Sequence, residues 1–326
     1  MNIFLSCDWG TSTLRLNLVN SENGNILASE HSDQGIAKTF SIWNTADNAN
    51  KNSRIPFYLD ILQHHIKNIE LRLNISLGGT KLFISGMASS TMGLIELPYS
   101  ELPYMLSGPE YNLKHLPVQD NFNHQVIIIS GVKSNDDVMR GEETQLIGCI
   151  DTITDTSKPQ LFIFPGTHSK HIYVNNNTII GFKTYMTGDF FELLSQKSIL
   201  QNSVDKETDL EHPEYSASFK QGVIDAVESN LLNAAFKVRT NNLFNIYNKN
   251  QNFTYLSGLL IGTELKDLSA SDAAAIHLVC GTNLEKHYRL ALQELKLAKQ
   301  INTYSPQWVD EAVVRAHHKI YNQTGN

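Results

Sequence analysis

Residues 6–19, SCDWGTSTLRLNLV, set an acid, a glycine and three hydroxyl residues between two apolar segments. After the turn, Leu14, Leu16 and Leu18 share one face and Arg15 and Asn17 the other, a period of two that marks a strand. IFLSC (3–7) reads as a short buried strand before the turn. NSENGN (20–25) then supplies Asn23-Gly24, a strong hairpin signal, and ILASE (26–30) reads as the next strand. The chain thus opens as a three-stranded meander whose first turn is DWGTST (8–13). Read alone, that turn is one any hairpin could carry. It is not a Walker A loop, which requires a helix where this chain has a strand.

The same order recurs downstream. QLFIFPGTHSKHIYVNNNTIIGFKTY (160–185) gives a strand (161–164), a Gly-Thr-x-Ser turn, a strand (171–174), an Asn-rich turn and a third strand (178–184). Identity between the copies is slight, but strand, glycine-hydroxyl turn, strand, turn, strand is repeated. This predicts a duplication at domain scale, with a boundary near residue 150 in DTITDTSKPQ (151–160), giving domains 1–150 and 151–326. Helical spacing marks 57–74, 190–200, 216–240 and 254–268, a helix entered near Glu142, and a strand-turn-helix over 275–295. Ser305 and Pro306 are placed to start a last helix running to Tyr321, which could pack back on the first domain. Strands and helices alternate, so the fold class is α/β.

At 326 residues, 41% hydrophobic and 18% charged, the chain has the material for two packed domains. A net charge of −7 argues against a general nucleic-acid or membrane surface, so an anionic ligand needs local cations. Cys7, Cys149 and Cys280 are odd in number, far apart and mostly within apolar runs, which suits reduced buried thiols in a cytoplasmic protein. No run approaches a membrane span, and Asp8 interrupts the apolar run near the start.

Five motifs carry chemistry. Gly10, Thr11, Ser12 and Thr13 combine close backbone approach with amide and hydroxyl donors, as phosphate binding needs. Asp8, at the strand end, could hold Mg²⁺, which favours few carboxylates and keeps its waters. In PGTHSKH (165–171), Gly166, Thr167, His168 and Ser169 repeat the pattern, and Lys170 adds a cation; two such turns could clamp one triphosphate. A zinc site at His168 and His171 lacks a third ligand. In VMRGEETQLIG (138–148), Glu142 and Glu143 stand at a helix start beside Arg140, where a carboxylate could take the proton of an alcohol acceptor. The same acids could merely complement the helix dipole. Gly258 and Gly262, one turn apart in LSGLLIGTEL (256–265), permit a close helix crossing that a hinge between domains would use. LVCGTNLEKHYRLAL (278–292) ends a strand in Gly281 and Thr282 and opens a helix, where α/β proteins bind nucleotides.

In this order the motifs resemble the actin, hexokinase and Hsp70-like ATPase superfamily. DWGTST and PGTHSK resemble its two phosphate loops, LVCGTNL its adenosine segment, and GEETQLIG and SGLLIG its two connecting helices. Within it, DWGTSTLR, SGM with MG shortly after (85–93), VMRGEETQLIG, PGTHSKH, TYMTGDFFELL (184–194) and LSGLLIGTEL resemble the 2-dehydro-3-deoxygalactonokinase family over nearly the whole chain. That resemblance implies two duplicated ribonuclease H-like (actin-like ATPase) domains with a cleft between them. It also implies transfer of the γ-phosphoryl group of ATP, with Mg²⁺, to the 6-hydroxyl of 2-dehydro-3-deoxy-D-galactonate, in galactonate catabolism.

The implied roles follow residue by residue. Gly10–Thr13, Arg15, Gly166–Lys170, Gly281 and Thr282 would serve ATP, and Asp8 the metal. Glu142 or Glu143 would be the base, with Glu142 favoured slightly because similar kinases place their acid at this helix start. Gly86, Met87, Ser89, Ser90, Arg140, Thr187, Gly188 and Asp189 would meet the sugar acid, Asp189 standing where the family tends to have Glu. The alternatives are a kinase of the same fold acting on another sugar or keto-sugar acid, a nucleotide-binding regulator, and an actin-like filament protein. Neither of the last two gains support from the sequence. Assembly into a homo-oligomer is compatible with it.

Overall fold

The computed structural model describes residues 2–45, 54–107, 111–119, 121–152, 158–205, 210–268, 273–297 and 300–324. The chain divides into two compact units. One comprises Met1–Thr154, Asn177–Ile179 and Asp310–Asn326, the other Asp155–Asn176 and Ile180–Val309.

The first unit opens as the alternation requires: β1 (Ile3–Trp9), β2 (Leu14–Asn20) and β3 (Ile26–Ser32) form an antiparallel meander. Gly24, at φ 75°, makes the second turn in a backbone region that suits glycine. Two helices, α1 (Ile36–Thr45) and α2 (Ile55–Leu73), lead to β4 (Leu82–Gly86), which runs parallel to β1. β5 (Leu113–Leu116) and β6 (Val126–Ile129) complete a sheet of order β3-β2-β1-β4-β6-β5, with β6 parallel to β4. Leu5, Leu16, Leu62, Ile66, Leu82 and Ile84 are buried in its core. α3 (Glu142–Cys149) follows.

In the second unit, but for the first two residues of β9, β7 (Gln160–Phe164), β8 (Ser169–Asn175) and β9 (Thr178–Tyr185) repeat the meander. After α4 (Thr187–Glu192), α5 (Pro213–Glu228), α6 (Leu231–Leu243) and α7 (Lys249–Leu265), strand β10 (Ala275–Leu278) runs parallel to β7. Helix α8 (Thr282–Glu294) leads to β11 (Ile301–Thr303), parallel to β10. The order β9-β8-β7-β10-β11 matches β3-β2-β1-β4-β6 of the first unit strand for strand. The duplication predicted from two turns is therefore a duplication of sheet topology, and the fold is the α/β class expected.

Several expectations shift. The run 216–240 is two helices, because Asn230 leaves helical geometry and its side chain accepts the Leu232 amide as a new N-cap. The last helix is broken into α9 (Pro306–Asp310) and α10 (Ala312–Thr324), with Ser305 capping the first piece through the Trp308 amide. α10 counts with the first unit: the Lys319 ammonium donates to the Ile147 carbonyl at the end of α3. The crossing at Gly258 and Gly262 is not a hinge between units. A Cβ on Gly258 would lie 2.0 Å from the Phe219 carbonyl oxygen and one on Gly262 2.9 Å from Val223 Cα, so both glycines pack α7 against α5 inside the second unit. All three cysteines are buried free thiols. Among the described residues no helix is long and apolar enough to cross a membrane.

Candidate active site

The first turn is braced from behind. Gly10 N–H closes it on the Thr13 carbonyl at 2.9 Å, and Thr11, Ser12 and Thr13 are exposed. The first amides of α1 donate into it, Ile36 to the Gly10 carbonyl and Ala37 to that of Thr11, so helix donors are satisfied by turn acceptors. This requires glycine at position 35, where a Cβ would lie 2.3 Å from the Ser12 carbonyl carbon. Among the described residues the amides and hydroxyls of Thr11 and Ser12 have no partner. Consecutive undirected N–H groups of this kind form an anion-binding concavity.

Around that turn the first unit assembles the other motif residues on Gly86. At φ 84° this glycine lets the backbone pass the Trp9 carbonyl, which a Cβ would meet at 2.8 Å, with Asp8 Oδ1 at 3.3 Å. On its other side Gly86 Cα lies 3.5 Å from the Cβ position of Gly141, itself at φ 113°. Asp8 is partly buried, which raises its pKa; the Arg15 guanidinium, 3.8 Å away, pulls it partly back. A single carboxylate beside a phosphate-type turn, with no hydrogen-bond donor of its own among the described residues, suits a small hard cation such as Mg²⁺.

Arg140 follows the short strand Val138–Met139, and its guanidinium carbon lies over the Tyr99 ring, 4.1 Å from its centroid. Its Nη1 donates to the Ser89 carbonyl at 2.6 Å and to Ser89 Oγ at 2.5 Å. The Ser89 hydroxyl in turn donates to the Ile129 carbonyl, and Ser90 Oγ to that of Met87. These two serines thus hold the Met87–Ser90 turn in shape, and Arg140 is the cation it presents.

The two acids divide. Glu143 is fully buried; Oε2 accepts the Gly141 amide at 2.7 Å and Oε1 the Thr144 hydroxyl at 2.9 Å. Burial, then the neighbouring Glu142 charge, push its pKa up to about 7. Glu142 is only part-buried and accepts the Arg140 amide at 3.1 Å.

In the second unit Gly166, Thr167 and His168 are exposed, while Ser169 and Lys170 are buried. Among the described residues the amides of Gly166 and Thr167 have no partner. Ser169 Oγ is already donated to Glu264, and Lys170 Nζ donates to Thr184 Oγ1 at 2.6 Å. Thr187, Gly188 and Asp189 pack against this turn. Asp189 N–H donates to the Thr167 carbonyl, His168 Nε2 lies 3.0 Å from Asp189 Oδ2, and a Cβ on Gly188 would meet the Gly166 oxygen at 2.6 Å. Beside the turn is a cavity of about 220 Å³. Gly166 and Gly188 line one side, Leu284, His287 and Tyr288 of α8 another, and Phe253 and Ile261 of α7 the floor. Gly281, at the N-terminus of α8, has open space where its Cβ would stand.

Sequence reasoning missed Gly35, Tyr99, Glu264 and Tyr288. The first and last two are legible only through packing. Tyr99 had no signal beyond an aromatic in a Pro-rich stretch. Among the described residues no cluster of His, Cys, Asp and Glu could hold a metal on its own.

A curated protein named as the 2-dehydro-3-deoxygalactonokinase DgoK1 of Rhizobium meliloti (strain 1021) is 30% identical over 298 residues, 89% of each chain. The 2-dehydro-3-deoxygalactonokinase of Escherichia coli (strain K12) is 31% identical over 229 residues, 66% of this chain and 71% of its own. A crystal structure described as a 2-dehydro-3-deoxygalactonokinase protein from Sinorhizobium meliloti superposes with a TM-score of 0.79 at 25% identity, covering 99% of this chain and 100% of that one. The model of the family described as 2-keto-3-deoxy-galactonokinase matches residues 8–314, and this chain belongs to that family.

Proposed function

We propose that this protein transfers the γ-phosphoryl group of ATP to the 6-hydroxyl of 2-dehydro-3-deoxy-D-galactonate. Family membership over nearly the whole chain carries the reaction, and the acid pair at the start of α3 carries the mechanism. Glu142 is the base: it takes the proton of the acceptor hydroxyl as the oxygen bonds to the γ-phosphorus and the bond to the β-phosphate oxygen breaks, releasing ADP. Glu143 has no exposed surface and both its oxygens are engaged, so it braces the Arg140–Gly141 turn and does not touch the acceptor. Arg140, held over Tyr99, faces the carboxylate of the sugar acid. The amides of Thr11, Ser12, Gly166 and Thr167 hold phosphate oxygens, and the cavity beside α8 takes the adenosine end. Asp8 would hold Mg²⁺, which neutralises phosphate charge as it develops.

Single-turnover and steady-state ADP release separate the two acids. Glu142→Gln is expected to lower kcat by about 10²–10⁴-fold with both KM values nearly unchanged. Glu143→Gln is expected to keep kcat within about tenfold. Full turnover by Glu142→Gln would remove the assignment.

A further inference from the structure

Glu264 lies near the end of α7, 2% exposed, with four donors converging on its carboxylate. Oε1 accepts Ser169 Oγ at 2.7 Å and His171 Nε2 at 2.8 Å; Oε2 accepts Tyr288 OH at 2.7 Å and the Thr187 hydroxyl. Two carboxylate oxygens offer about four acceptor sites, so the group is saturated. Burial alone would raise its pKa, but the bonds led by His171 outweigh this and hold it below the ordinary carboxylate range. An ionised acceptor has no proton to give. The protons of Ser169, Thr187 and Tyr288 must therefore all point inward.

The four donors come from three places that meet the proposed nucleotide site. Ser169 ends the second phosphate turn. Thr187 precedes Gly188, whose missing Cβ allows contact with the Gly166 carbonyl. Tyr288 stands on α8, and Thr187, Gly188, Gly166 and Tyr288 all line the 220 Å³ cavity. A buried ionic group is not needed for stability, since apolar replacements of similar volume are often as stable. What a saturated carboxylate supplies is direction: it fixes the distance between the turn and α8 through one atom pair.

We propose that Glu264 is a positioning residue for ATP, setting the phosphate turn and the α8 wall of the nucleoside cavity against each other from beneath. It does not touch the nucleotide. This rests on the reading that the Gly166 turn takes phosphate, and the test treats the two separately. Glu264→Gln keeps the side-chain volume but presents an amide to donors that need an acceptor. Tyr288→Phe removes one hydroxyl and leaves the carboxylate. Gly166→Leu adds bulk into open space on the turn without strain, since its Cβ meets nothing within 4 Å and its φ is not positive.

In steady-state kinetics, with ADP binding measured by calorimetry, Glu264→Gln is expected to raise the KM for ATP and the Kd for ADP at least tenfold. Tyr288→Phe should raise both about threefold or more, and the KM for the sugar acid should stay within twofold in each. Gly166→Leu should weaken ADP as well. Weakening by Gly166→Leu alone overturns the proposal and leaves the phosphate turn standing. No effect of Gly166→Leu removes the reading of the turn and the proposal with it. A lowered melting temperature and smaller active fraction with unchanged nucleotide KM in both Glu264→Gln and Tyr288→Phe would show a structural role only, and also overturn it.

Discussion

At the scale of the residue, Glu143 makes the sharpest claim, because its environment sets both its chemistry and a pH dependence. Its folded pKa of about 7 lies above the 4.5 of a free carboxyl. Between these values the folded state holds a proton that the unfolded chain has released. Stability therefore falls as pH rises from about 4.5 to about 7, and is level above that. Glu143→Gln removes the titration. The amide can still accept the Gly141 N–H and donate to the Thr144 hydroxyl. Denaturant unfolding at several pH values should show the variant gaining on the native protein by on the order of 1–3 kcal/mol between pH 5 and pH 8. Parallel pH profiles would contradict the burial argument. Neighbouring acids were visible in the sequence, but which one is buried was not. Adjacent positions at a helix start differ by about 100° in direction, and only the packed α3 decides which faces inward.

The element scale explains what was legible. Strands announced themselves through alternation in β2 and through short apolar runs beside glycine turns elsewhere, so β1, β2, β7 and β8 were placed within two residues of their observed ends. α1 was missed: residues 36–60 are rich in Asn and Ser, and Ile36 and Thr39 are the only buried positions of that helix. Its role lies at its start, where Gly35 lets it cap the first turn, a close approach that no periodicity encodes. The paired glycines of α7 were read correctly as a close crossing but assigned to the wrong partner, because spacing shows that a helix approaches and not which one. That crossing predicts its own test. Gly258→Ala must displace the Phe219 carbonyl, since the added carbon would stand 2.0 Å from it, and should cost about 3 kcal/mol in thermal or denaturant unfolding. Gly281→Ala, with open space at the same atom and φ −68°, loses only an N-cap glycine and should cost about 1 kcal/mol or less. Equal effects would mean the α5–α7 packing is looser than described.

At the scale of the whole molecule, two glycine-hydroxyl turns in a 326-residue chain were enough to infer duplication, and the two sheets share one strand order. The C-terminal helix α10 counts with the first unit, and there Gly148 of α3 admits Ala312 so closely that a Cβ would stand 1.9 Å from its carbonyl oxygen. The proposed roles divide by unit, the acids and Arg140 in the first, a phosphate turn and nucleoside cavity in the second. The claim uniting them is a single phosphoryl transfer to a keto-deoxy sugar acid. A coupled ADP-release assay with 2-dehydro-3-deoxygalactonate and its gluconate epimer tests it most directly. The account predicts ATP-dependent turnover with the galactonate compound, 6-phosphate as product and a lower kcat/KM for the epimer. No turnover with the galactonate compound under conditions where ADP binds would contradict it.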